Sequence, residues 1–90
     1  MESGPEQLPE PRFAVMVNQL YTQAMIELGV IPNPLTGESS VAAPRALFTI
    51  QMLEVLRHKT VGNLDPEELV HLERALAELK ANYDARARPS

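Results

Sequence analysis

The stretch Thr60-Val61-Gly62-Asn63-Leu64-Asp65-Pro66-Glu67-Glu68-Leu69 closes one helix and opens the next, which leaves few other foldings open to the chain. Gly62 or Asn63 can take the left-handed conformation that ends a helix, Asp65 can accept hydrogen bonds from the free amides of the next one, and Pro66 suits its first position. Glu68 forms a capping-box pattern with Asp65, and Leu64 is spaced to staple onto Leu69. The junction predicts helices on both sides of it, and the duties it assigns are structural ones.

Helical periodicity is present on both sides. From Arg12 to Leu28, Phe13, Val17, Leu20, Tyr21, Ala24 and Leu28 recur at three- and four-residue steps and define one apolar face, which Gly29 terminates. Val15, Met25 and Ile26 interrupt the otherwise polar opposite side. After the junction, Leu69, Leu72, Leu76, Leu79 and Tyr83 repeat at the spacing of a narrow seam, opposite Glu67, His71, Glu73, Arg74, Glu78 and Asn82. That third helix needs cover on one side only.

The second helix is different. Between Ala46 and Leu56 only Thr49, Gln51 and Glu54 are polar, and Leu47, Phe48, Ile50, Met52, Leu53, Val55 and Leu56 are distributed around most of the circumference. A helix apolar nearly all round must be covered nearly all round. One face of the first helix and one seam of the third cannot do this, so a further surface is required, and a second copy of the chain is the simplest one. Phe48, Met52 and Val55, set against Leu47, Ile50 and Leu53 on the inward side, are the expected contacts, with Val15 and Ile26 as secondary ones.

The fold expected from these patterns is an all-α, three-helix domain over residues 12–84, with helices at about 12–28, 42–60 and 66–84, assembled as a homodimer or higher oligomer. Residues 1–11, with three prolines and three glutamates, and residues 85–90 read as disordered tails. Between the first two helices lies a long Pro-rich loop, Val30-Ile31-Pro32-Asn33-Pro34-Leu35-Thr36-Gly37-Glu38-Ser39-Ser40, with Ser39 or Ser40 as candidate caps of the second helix. Its length, above that of most helix connections, marks Ile31, Pro32, Pro34 and Leu35 as a candidate recognition loop, against the plainer expectation that Ile31 and Leu35 pack back onto the helices.

Composition narrows the function classes. A chain of 90 residues forms one domain and hides only about 60–65% of the surface its unfolded form exposes, so oligomerisation is its natural reinforcement. There is no cysteine, which excludes disulfides and thiolate metal sites. Twelve acidic and eight basic side chains give a net charge of −4, and the cations are scattered, a poor basis for nucleic-acid binding. No segment reaches the roughly 18–20 apolar residues of a membrane span, and the first residues lack the basic start and apolar run of a secretory signal. A cytoplasmic protein is expected.

The residues resemble a known bacterial family. Phe13-Ala14, the stretch Leu20 to Gly29, the loop Pro32-Asn33-Pro34-Leu35-Thr36-Gly37-Glu38 and the junction Lys59-Thr60-Val61-Gly62-Asn63-Leu64 followed by Glu67-Glu68 are similar to the domain of unknown function numbered eighteen forty-four. The resemblance spans about Phe13 to Tyr83. It implies a short helical fold and carries over no catalytic, cofactor or substrate residues. Where that family often reads Ala-Lys-x-x-Ile-Asp in the second helix, this chain has Ala46-Leu47-Phe48-Thr49-Ile50-Gln51, and Val61 replaces a common lysine. The second helix has become more apolar, which sharpens its need for cover.

Catalytic and metal chemistry find little footing. His58 and His71 are the only imidazoles, lie on different helices and have no ligand partner at i, i+4 spacing. Asp65, Glu67 and Glu68 have a sufficient role in offsetting a helix dipole. Ser39 and Ser40 lack a nucleophile elbow, Gly37 belongs to no phosphate-cradling loop, and Met16, Met25 and Met52 are core filling by default. The chain is therefore expected to be a non-enzymatic interaction or scaffold module without metal or cofactor, self-associating through the second helix and open to another protein partner. A peripheral membrane module is the alternative, although the first helix lacks the lysines and arginines that would favour anionic lipid.

Overall fold

The computed structural model describes residues 8–87 and contains three helices in that range: α1 (Phe13–Glu27), α2 (Ala43–Lys59) and α3 (Pro66–Arg86). Each packs on both of the others. No strand forms among the described residues, and no helix is long and apolar enough to cross a membrane.

The ends of α1 and α2 follow from local chemistry. At the end of α1 the Val30 amide donates to Met25 O at 2.9 Å and the Gly29 amide to Ile26 O at 3.0 Å, the paired bonds of a Schellman motif, with Gly29 at φ 78°. A Cβ on Gly29 would lie 3.3 Å from the Ser40 backbone and from Val41 Cγ2, so the positive φ and the close pass of the returning loop together favour glycine there. At the end of α2 the Thr60 hydroxyl donates to Leu56 O at 2.8 Å, and the Asn63 amide closes a turn onto Thr60 O at 2.9 Å. Gly62, at φ 84°, occupies the third position of that turn, where a left-handed residue is needed.

The start of α3 carries the expected capping box. The Asp65 amide donates to Glu68 Oε1 at 2.9 Å, Pro66 is the first helical residue, and Glu67 and Glu68 lie in the first turn, where the helix dipole favours them. The start of α2 departs from expectation. Ser39 and Ser40 do not cap it; Ala42 is the residue before the helix, and no side chain bonds the free amides there. The chain stays extended to Ala42 because the Ala42 amide is held by Glu27 O at 2.7 Å, and Pro44, in the first turn, needs no amide partner.

The expected tails also need adjustment. The helix of α3 runs to Arg86 and Ala87 packs against the core, so residues 85–87 are not a tail. Residues 8–11 are non-helical and exposed, whereas the expected tail residues 1–7 and 88–90 lie outside the described range.

The core is small and shared by all three helices. Val17, Ala24, Met25 and Leu28 come from α1 and its last turn, Ala46, Ile50 and Leu53 from α2, and Leu72, Ala75, Leu76 and Leu79 from α3. Phe13, Leu20, Tyr21, Leu56, Leu64 and Tyr83 pack around it, half-buried. Polar bonds fix the pairings. Tyr21 Oη donates to Glu78 Oε1 at 2.5 Å and His71 Nε2 lies 2.9 Å from Asn18 Oδ1, joining α1 to α3. Glu54 pairs with Lys80 at 2.5 Å and Arg57 with Glu73 at 3.4 Å, joining α2 to α3. These ion pairs are open to water and add little stability beyond setting the register.

Leu76→Ala removes a buried side chain from the centre of this core and is expected to destabilise the fold by about 2–5 kcal/mol in chemical denaturation. The Tyr21 phenol is pushed above its ordinary 10.0 by its hydrogen bond to Glu78, by burial and by the charge of that carboxylate. The neutral phenol is the form that donates, so the stability this bond gives is whole below pH 10 and is lost as the pH rises through the higher folded value. In a Tyr83→Phe background, phenolate absorbance should show Tyr21 titrating later than free tyrosine, and Glu78→Gln should bring it back down.

Candidate interaction surface on the second helix

Two neighbours cover α2 along one arc and leave another open. Ala46, Thr49, Ile50 and Leu53 are buried and Leu56 is half-buried. At about 100° per residue, Phe48, Met52 and Val55 fall within about 60° of one another on the far side. They are 63%, 46% and 56% exposed. Side chains of this size usually form the inside of a helical protein, and here three of them share a stripe facing water.

The rotation of α2 about its axis is set by a polar residue. Thr49, 1% exposed, donates its hydroxyl to Glu27 Oε1 at 2.7 Å and also lies 3.1 Å from Arg45 O. A hydroxyl facing the last turn of α1 is thereby satisfied at a position that composition alone marks as polar. Turning Thr49 inward displaces Leu47, expected on the inward side, to the edge of the exposed arc, where it is 37% exposed. Ile50 and Leu53 face inward as expected.

The other surface candidates are not brought into this stripe. Ile26 lines a groove of about 520 Å³ between α1, the loop and Arg45 of α2. Val15 lines another of about 580 Å³, with Leu8, Pro9 and Met16 at the start of α1. Both are half-buried. Leu64 and Leu69, spaced in the sequence for a staple, share a third groove with Val61, His58 and the Arg57–Glu73 pair.

The loop divides into two parts. Ile31 packs back against the core, as the plainer reading expected, while Leu35 is 91% exposed and does not. The tip is held by its own bonds: Asn33 Oδ1 accepts from the Leu35 amide at 2.8 Å, Asn33 O from the Gly37 amide at 2.7 Å, and Glu38 O from the Asn33 amide at 2.9 Å. Thr36 Oγ1 accepts from the Glu38 amide at 3.2 Å. These are the local side-chain turns for which Asn and Thr are suited, and they present Pro34 and Leu35 on a closed backbone.

Among the described residues no group of three or more His, Asp or Glu is placed to hold a metal ion. His58 lies on the last turn of α2, and His71 faces Asn18. Asp65, Glu67 and Glu68 stay at the start of α3.

The model of the domain of unknown function DUF1844 matches residues 10–85. The chain belongs to the DUF1844 family. No curated protein and no solved structure matches it. In this DUF1844 chain the resembling motifs fall on the α1 to α2 loop and the α2 to α3 junction, and both serve backbone geometry.

Replacing Thr49 by valine keeps the shape and removes the hydroxyl that holds Glu27. The expected cost is about 1–3 kcal/mol, measured by thermal or urea unfolding.

Proposed function

We propose that the chain is a non-enzymatic interaction module that associates with a second copy of itself through the outer face of α2. The observation that carries this reading is the stripe of Phe48, Met52 and Val55, 46–63% exposed on the outer side of α2. Covering what remains wet of these side chains would contribute on the order of 1 kcal/mol each. Across two copies that is about 6 kcal/mol, comparable with the lower estimates of the cost of association, so the contact is expected to be weak and concentration-dependent. A two-fold pairing of α2 with itself suits such a stripe, because it lets one patch serve both copies. Scaffold work in the cytoplasm fits a reversible association of this kind.

Met52 lies at the middle of the stripe. Met52→Glu should shift the sedimentation equilibrium toward monomer with the helical circular dichroism unchanged, whereas a folded variant with the mass of the parent assembly would refute this interface.

A further inference from the structure

The charges around the α2 stripe make room for an occupant that would compete with the second copy for the same face. Arg45 and Lys59 lie seven residues to either side of Met52, about 21 Å apart along the helix at 1.5 Å per residue, and His58 adjoins Lys59. All three are exposed and form no ion pair among the described residues. The sole acidic residue of α2, Glu54, is committed to Lys80 on the α3 side. The outer face is thus apolar in the middle and carries cations at both ends, on a chain whose net charge is −4; Arg45 also lines the groove beside α1 and the loop with Glu27 and Glu38, so the end at His58 and Lys59 is the more strongly cationic one.

A second copy brings like charges together, in keeping with the weak self-contact expected above. Paired antiparallel about Met52, the two α2 helices set Arg45 of each against Lys59 of the other. Paired parallel, they set each cation against its own equivalent. Either way like charges meet at both ends of the stripe, which disfavours that pairing. An anionic membrane is also a poor match. It presents an extended field that senses the whole acidic molecule, whereas a single helix laid on α2 senses mainly the cations within about 8–10 Å.

We infer that the outer face of α2 is a docking site for an amphipathic helix from another protein, with apolar side chains at i, i+4 and i+7 and carboxylates about four turns apart, one group over Arg45 and one over His58 and Lys59. The helix-in-groove mode supplies the apolar anchors, and the end charges set orientation and choice of partner. This inference rests on the reading of the α2 stripe as the contact surface. It adds that such a helix competes with the second copy and displaces it, since it fills the same stripe and replaces two repulsions by two attractions.

The probe is a synthetic helical peptide of about 20 residues with leucines on one face and paired glutamates at each end, beside a twin with lysines in place of the glutamates. Titrated into the full chain and followed by fluorescence anisotropy, the glutamate peptide should bind at least about tenfold more tightly than the lysine twin, and added salt should weaken it. The double variant Arg45→Glu, Lys59→Glu, which changes only exposed side chains, should reverse that preference and bind the lysine twin. Sedimentation should show the glutamate peptide converting any homodimer to a one-to-one complex. Equal binding of the two peptides, a preference that the double variant leaves unchanged, or flotation with phosphatidylserine vesicles in the absence of peptide binding would each overturn the inference. A homodimer lost in Met52→Glu but indifferent to both peptides would leave the self-association standing and remove only the acidic helix. A monomer that binds the glutamate peptide would do the reverse.

Discussion

Two neighbouring helices can cover only part of a third, and among the described residues α2 has only two helical neighbours. The split of its surface into a covered and an exposed arc follows from that geometric limit. The covered arc takes Ala46, Ile50 and Leu53 into a core of eleven apolar residues, and the remaining arc holds Phe48, Met52 and Val55 in water. Had that arc carried lysine and glutamate, the domain would be an ordinary amphipathic bundle, complete in itself. With phenylalanine, methionine and valine it exposes an apolar stripe instead, which is why that arc is the surface proposed for a partner.

Which arc faces outward is decided by a few polar contacts. The Thr49 hydroxyl on Glu27 and the Ala42 amide on Glu27 O both tie the start of α2 to the last turn of α1. The Schellman turn at Gly29 brings the loop back at the right height, with the backbone of Ser40 and the side chain of Val41 close by. On the other flank, Glu54 with Lys80 and Arg57 with Glu73 hold α3. Contacts of this kind contribute modestly to stability, yet together they favour the observed rotation of α2.

The parts of this structure legible in the sequence are those written in local chemistry. Gly62, Asp65, Pro66 and Glu68 act within a few residues of themselves, so the junction and the existence and order of three helices could be read directly. The uncovered stripe on α2 was also readable, because counting apolar faces needs only periodicity. What could not be read was anything decided between elements. Thr49 counts as polar on a helical wheel and is buried because a carboxylate on another helix receives it. Leu47 turns outward as a consequence. Ser39 and Ser40 have the chemistry of caps, but the position of the helix start was fixed by the hold of Glu27 on Ala42, two residues further on. The end of α3 moved outward for a similar reason: Ala87 finds apolar cover that its own neighbourhood in the sequence does not reveal.

The same division explains why the loop and the helix face are different kinds of surface. The backbone at the tip around Leu35 is satisfied from within by Asn33 and Thr36, so its shape does not depend on a partner and little ordering entropy would be lost there on contact. It exposes one large apolar side chain, which is common on folded proteins and calls for no occupant. The α2 face exposes three in register, on a helix whose backbone is already fixed by its packing, with cations at both ends that form no ion pair among the described residues. Preorganisation is present in both places, but only α2 combines it with enough apolar area and a charge pattern to discriminate among partners. The recognition surface proposed for this chain is therefore the helix face, and the loop brings that helix back alongside α1.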